Sequence, residues 1–340
     1  MSGSQPDVYS LSQARGWDWR EVLDLSVSIN PLGPPKGVRE AVASALDRIE
    51  IYPEQEPHEA EGHLAARWQL RDGSVLLGHG ATELHYFMAR AGWPGPVAVT
   101  IPTASEIHRA FPRALRVAAN DPESWPQRGL LVLTQPNNPT GEALPVEVLR
   151  RAIAMRDGPV LVDESFIEFT NLSSAISWIE DHPNLIVLRS LSKFYALPGM
   201  RVGALITGPQ WMARLRHRRE PWAIGTLAVA ALKAALSDDG YAERSRALIE
   251  QEREWLAGQM LELPGIDLSE STANFLLGHL ARPAQEVCDW FLDRKILLKN
   301  CTGRPGIEGE AVRFAVRERA SNERFVAAAR ECFTSGDSSC

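Results

Sequence analysis

The chain has 340 residues, 44% of them hydrophobic, and a net charge of −7. That is enough apolar material for a large core and for two domains, and the acidic balance gives no basis for a nucleic-acid partner. No stretch has the long uncharged apolar run of a membrane helix, so no membrane partner is expected either. Residues 1–7 carry neither the basic nor the apolar segment of a signal peptide. Cys288, Cys301, Cys332 and Cys340 are scattered and form no metal-type pair. A reduced, cytoplasmic protein without a metal is expected.

Residues 1–23 are polar and aromatic without clear periodicity and read as an arm, with a short helix around 11–19. Residues 25–29 read as extended, stopped by Asn30-Pro31-Leu32-Gly33-Pro34-Pro35. Apolar residues at helical spacing, Val38, Ala41, Val42, Ala45, Leu46 and Ile49, predict a helix over 38–49. A second helix is predicted over 58–68. Val75-Leu76-Leu77 is a strand ending in Gly78-His79-Gly80-Ala81-Thr82, where a glycine turn opens a helix. Free N–H groups and the helix dipole can bind an anion there, and Thr82 adds a hydroxyl. Alone, such a Gly-x-Gly is usually just a turn. Residues 96–102 form the next strand.

Three later strands each end in a distinct polar group. Leu130-Leu131-Val132-Leu133-Thr134 runs into Gln135-Pro136-Asn137-Asn138-Pro139-Thr140-Gly141, a turn rich in Pro, Asn and Gly. A helix over 144–155 leads to Pro159-Val160-Leu161-Val162 and then Asp163-Glu164-Ser165-Phe166. Ser165 lies two residues after Asp163, so in an extended chain both side chains face the same way. Residues 184–189 form a buried strand that delivers Ser190, Ser192 and Lys193, with Arg201 eight residues beyond the lysine. By itself this last stretch also suits a surface loop with an ordinary lysine. The carboxyl edge of an α/β sheet, however, is where ligands are held. An amine that can form a Schiff base, a carboxylate, an amide donor, hydroxyls and a guanidinium suit an aldehyde cofactor with a pyridine ring and a phosphate.

The remaining elements are a strand over 202–206, a basic helix over 211–220 read as a solvated face, and helical residues 226–261. Strands over 271–277, 296–299 and 312–316 and helices over 283–294 and 322–334 follow, with no internal repeat. The tail at 336–340 is polar and expected to be disordered.

The order Asn-Asn-Pro-Thr-Gly, Asp-Glu-x-Phe, Ser-x-Ser-Lys, with an arginine eight residues after the lysine, resembles that of fold-type I pyridoxal 5'-phosphate (PLP) enzymes, the aspartate aminotransferase superfamily. The match runs from about Asp24 to about Arg317. Within it, Ser192-Lys193-Phe194-Tyr195-Ala196-Leu197-Pro198-Gly199-Met200-Arg201 and the 26–35 segment look most like the threonine-phosphate decarboxylases of cobalamin synthesis. Histidinol-phosphate aminotransferases are near relatives. The resemblance implies an α/β fold in which a mostly parallel seven-stranded sheet lies between helices, with a smaller α+β domain. The implied division is an arm at 1–36 that joins the small domain in part, a large PLP-binding domain at 37–225 and a small domain at 226–335.

It also implies roles. Lys193 holds the cofactor's aldehyde, Asp163 keeps the pyridine nitrogen protonated, and Asn138 donates to the phenolic oxygen. Ser190, Ser192, Arg201, Ala81 and Thr82 hold the phosphate, Ser165 lies under the ring, and Tyr52 reaches the PLP of a neighbouring subunit in a homodimer. Arg313, Lys299, Ser28 and Asn30 face a small phosphorylated amino acid. Several positions depart from the pattern. Ala104 stands where relatives stack an aromatic ring, with His108 four residues on. Lys299 and Ser28 replace an arginine and an asparagine, Gly225 stands where relatives often carry Asn, and the amino-terminal His-Gly-Gly is missing. Decarboxylation and transamination both remain open, because they differ in which bond at Cα is held perpendicular to the ring.

Overall fold

The structure, a computed structural model, describes residues 7–334. The first helix, Val8–Arg15, is capped by Asp7, which accepts from the amides of Tyr9 and Ser10. Gly16 ends it at φ 66°, earlier than the sequence predicts, and Trp19–Glu21 forms a separate 3₁₀ turn. Strand β1 (Leu23–Asp24) follows. It pairs in parallel with Ile296 and Leu297.

The central sheet contains β2 (Val75–Gly78), β3 (Val97–Ile101), β4 (Leu115–Ala118), β5 (Leu130–Thr134), β6 (Val160–Asp163), β7 (Leu185–Ser190) and β8 (Gly203–Thr207). Its order is β2-β8-β7-β6-β5-β3-β4, and only β8 runs antiparallel to its neighbours. Strands β5 to β8 are buried along their whole length, because helices cover both faces. Successive side chains alternate between two cores. Leu131, Leu133, Val160, Val162 and Val187 face one; Leu130, Val132, Leu161, Ile186 and Leu188 face the other. Strand β4 went unpredicted; it is an edge strand with Leu115 and Arg116 exposed.

The register brings the polar strand ends together. Thr134 is opposite Asp163, Asp163 opposite Leu188, and Ser190 and Gly78 both opposite Gly203. Because β8 is reversed, the residues just before it, Arg201 among them, lie at the same edge as the carboxyl ends of the others.

The stretch 226–261 divides into two helices, Thr226–Leu236 and Tyr241–Leu261. The first packs against Val38–Ala45 and His58–Arg67 of the large domain. The expected boundary at 225 falls just before the first of these helices, and the chain breaks again between Leu236 and Tyr241. The small domain adds β9 (Ile266–Leu268), β10 (Phe275–Leu280), β11 (Ile296–Leu297), β12 (Lys299–Asn300) and β13 (Glu310–Ala315). Strands β12-β13-β10-β9 form an antiparallel sheet backed by the helices Ala284–Asp293 and Arg319–Thr334. The expected tail at 336–340 lies outside the described residues. Among those described, no helix is long and apolar enough to cross a membrane.

Candidate active site

At the end of β2 the chain turns through Gly80, at φ 82°, into the helix Gly80–Arg90. A Cβ on Gly80 would lie 2.4 Å from a guanidinium nitrogen of Arg201. Glycine therefore lets that cation rest against the helix start, and supplies a backbone conformation other residues avoid. A Cβ on Gly203 would come within 2.9 Å of the Ala81 amide nitrogen, so β8 and the helix start also touch closely. The first-turn amides of Ala81 and Thr82 have no partner within their helix. With Arg201 and with Ser190 at the end of β7, they are donors of the kind that could hold a phosphate. Ser192 does not point a free donor there. Its hydroxyl donates to Val202 O at 3.0 Å and accepts from Val202 N at 2.8 Å, which fixes the chain between Arg201 and β8.

Asp163, buried at the end of β6, has two partners. Ser165 N donates to Oδ1 at 2.8 Å, and His85 Nε2 lies 3.0 Å from Oδ2. Burial pushes this carboxyl up, but the His85 contact and charge, with Lys193 and Ser165, outweigh it and hold Asp163 below its ordinary value. His85 was not foreseen in the sequence. It stands three residues after Thr82 on the same helix, a spacing that places both on one face. Ser165 Oγ is buried without a hydrogen-bond partner.

Lys193 lies in the one-turn helix Leu191–Phe194, its Nζ 4.6 Å from the centre of the Phe166 ring. Burial lowers its ammonium, with Arg313 and Arg201 adding to this, while Asp163 and Glu106 act in the opposite sense. Asn138 Oδ1 accepts from Arg313 Nη1 at 2.7 Å. That contact orients the amide and leaves its NH₂ free to donate to a phenolic oxygen.

Arg313, on β13, is buried and also donates to Ser26 O at 2.6 Å; its Nε has no partner. Lys299 on β12 is opposite it in register. Ser28 is buried with its hydroxyl unpartnered. Asn30 is committed to structure instead of substrate: its Nδ2 donates to Phe194 O and Ser245 Oγ, and its Oδ1 accepts from Leu32 N. Tyr52 does not reach its own site. It is 81% exposed and packs on Trp222 with centroids 5.1 Å apart. Ala104 is buried, and His108 lines a neighbouring cavity. Glu106, also unforeseen, turns toward the site. Burial raises its carboxyl, but its own amide and the charges of Lys299, Lys193 and Arg313 hold it below the usual range.

The donor set suits PLP: a glycine cradle with a guanidinium, a buried ionised carboxylate, an amine held next to an aromatic face, and an unpartnered hydroxyl under the ring position. Comparisons with known proteins agree. Residues 97–328 match the family described as aminotransferase class I and II. The chain is 32% identical to a threonine-phosphate decarboxylase of Salmonella typhimurium, over 92% of each chain. It is also 32% identical to a histidinol-phosphate aminotransferase of Symbiobacterium thermophilum, over 93% of this chain and 92% of that one. Its fold matches that of the Sinorhizobium meliloti histidinol-phosphate aminotransferase solved with pyridoxal 5'-phosphate. The TM-score is 0.86 at 21% identity, covering 98% of this chain and 95% of that one.

Proposed function

Given that the chain belongs to the class I and II aminotransferases and so is a PLP enzyme, we propose that it decarboxylates L-threonine O-3-phosphate to (R)-1-amino-2-propanol O-phosphate in cobalamin synthesis. The observation that carries this reading is a contact between two motifs. Asn30 of the amino-terminal motif bonds to the lysine loop twice, through its amide to Lys193 O at 3.1 Å and through Nδ2 to Phe194 O at 2.9 Å. Phe194, Tyr195 and Leu197 of that loop are buried, with Tyr195 stacked on Tyr241. The two stretches that most resemble the decarboxylases thus form one unit behind the reactive lysine.

When bound, PLP supplies an aldehyde for the substrate amine and a ring that accepts the electron pair left at Cα. The chain's own groups do the rest. Asp163, held ionised, keeps a proton on the pyridine nitrogen. Arg201, Ser190 and the amides of Ala81 and Thr82 anchor the phosphate. Lys193, whose ammonium is lowered by burial, is the amine that would hold the cofactor's aldehyde. Arg313 would orient the substrate carboxylate, with Lys299 beside it in register, and Arg313 fixes Asn138.

A homodimer is part of the same reading. Ile49, Ile51 and Tyr52 are each more than 60% exposed. An apolar strip of this kind suits a partner surface, and Tyr52 is then free to reach the neighbour's cofactor.

The second reading, an aminotransferase of histidinol phosphate or another amino acid, is supported by the equal identity to that group. Incubating the purified holoenzyme with threonine phosphate should release CO₂. Conversion of histidinol phosphate and 2-oxoglutarate to glutamate, with no CO₂ from threonine phosphate, would replace the first reading by the second.

A further inference from the structure

Beside the site, between residues 103–116 of the large domain and 285–305 of the small one, lies a cavity of about 660 Å³. His108, Arg109, Arg116, Lys299 and Arg304 all line it. Two arginines elsewhere in this acidic chain are matched by carboxylates. Arg216 meets Glu56 and Glu61 at 2.8 and 2.7 Å, and Arg219 meets Glu83 at 2.8 Å. Among the described residues, no carboxylate lies within ion-pair distance of Arg109, Arg116, Lys299 or Arg304. The one acid on the wall, Asp289, accepts from Gln285 at 2.9 Å. His108 Nε2 is buried with no partner.

These cations act on one another. Burial and the charges of Arg116 and Arg304 lower the His108 imidazole; burial, Arg304 and Arg313 lower Lys299. Lys299 and Arg304 are half-buried and Arg109 and Arg116 exposed, with Glu106 opposing the other charges at Lys299; the excess of positive charge around the cavity favours an anion there. Two of the residues that line the cavity neighbour residues of the site. Lys299 is opposite Arg313 in register, and Thr103 Oγ1 lies 3.1 Å from Thr134 Oγ1 at the end of β5. Glu106, held below the usual carboxylate range by Lys299, Lys193 and Arg313, disfavours a dianion at the inner end. A carboxylate at Arg313 and a more highly charged group farther out would satisfy both features.

We propose that this cavity seats a phosphomonoester dianion, held by Arg304, Arg116 and Lys299 with His108 beside them, and that the dianion is the far end of the substrate. Only the second half rests on the function proposed above; the anion site stands on the cavity itself.

Two titrations test it. The first adds inorganic phosphate to the holoenzyme, whose cofactor-phosphate cradle is already filled, and follows the heat. Wild-type protein should bind one phosphate. Arg304→Gln and Arg116→Gln should each weaken it about tenfold, in line with losing one charge-assisted contact, with the cofactor's absorbance unchanged. No binding by wild type, or equal binding by both variants, overturns the site. The second follows the cofactor's spectrum as threonine phosphate or threonine is added. Arg304→Gln should lose about tenfold in affinity for the phosphorylated amino acid and nothing for threonine. Undiminished preference for threonine phosphate in that variant places the phosphoester elsewhere and overturns the proposal. If phosphate binding depends on Arg304 and Arg116 but wild type shows no preference for threonine phosphate, the anion site is upheld and the decarboxylase reading fails.

Discussion

Replacing His85 by leucine tests whether the fold tunes Asp163 as the geometry indicates. His85 Nε2 stands 3.0 Å from Asp163 Oδ2, and both side chains are about 95% buried. Leucine keeps the apolar bulk but removes the polar contact, leaving Ser165 N as the carboxylate's hydrogen-bond donor. A contact to a buried charged group is worth about 1.5–3 kcal/mol, and that is the expected loss at neutral pH. The sign with pH follows from Asp163, whose folded carboxyl is held below its ordinary value. Such a group stabilises the fold fully above the ordinary carboxylate range, and the contribution disappears as pH falls through the lowered folded value. The difference between wild type and His85→Leu should therefore be largest near pH 7 and shrink in acid. Urea unfolding of the cofactor-free protein at pH 7 and at about pH 3 measures it. PLP affinity should fall as well, since the ring proton loses part of its counter-charge, and His85→Gln should restore some of both. An equal loss at both pH values would mean that His85 only fills space, and the reasoning about Asp163 would be wrong.

Lys193→Ala should abolish borohydride fixation of PLP and nearly all turnover, yet still bind PLP through Arg201, Ser190, Thr82 and Asp163; a colourless wild type and a harmless substitution would contradict the assignment. Gly80→Ala should cut PLP affinity at least about tenfold, because a methyl at φ 82° would stand 2.4 Å from the Arg201 guanidinium, and the equilibrium dissociation constant for PLP measures it. Tyr52→Phe should weaken PLP retention without altering the unfolding midpoint, since the side chain is 81% exposed; sedimentation of a fully active monomer at assay dilution would rule out its role across a dimer. Arg313→Lys should lose the paired contacts to Asn138 Oδ1 and Ser26 O, raising KM for the substrate more than a surface change does; an unchanged KM would remove Arg313 from the substrate side.

Much of this protein was determined locally. Each buried strand of the central sheet is a short apolar run, and each ends where a polar motif begins, so β5, β6 and β7 and the groups they deliver could be read directly. The glycine turn before Thr82 and the lysine followed by Arg201 are likewise short-range patterns. Only the tertiary structure decided the rest. Strand β4 has exposed residues at an edge and no periodic signal, and the break between Leu236 and Tyr241 shows only once the first helix packs back onto the large domain. His85 reaches Asp163 because of how one helix is rotated over the sheet, and Arg313 reaches Asn138 because two domains dock. Asn30 and Ser192 show the converse. Their residue types suit a ligand, but neighbours distant in sequence or across a loop had already taken their hydrogen bonds. A side chain's chemistry is written in the sequence, but whether its donors remain free depends on contacts that form only when distant segments meet.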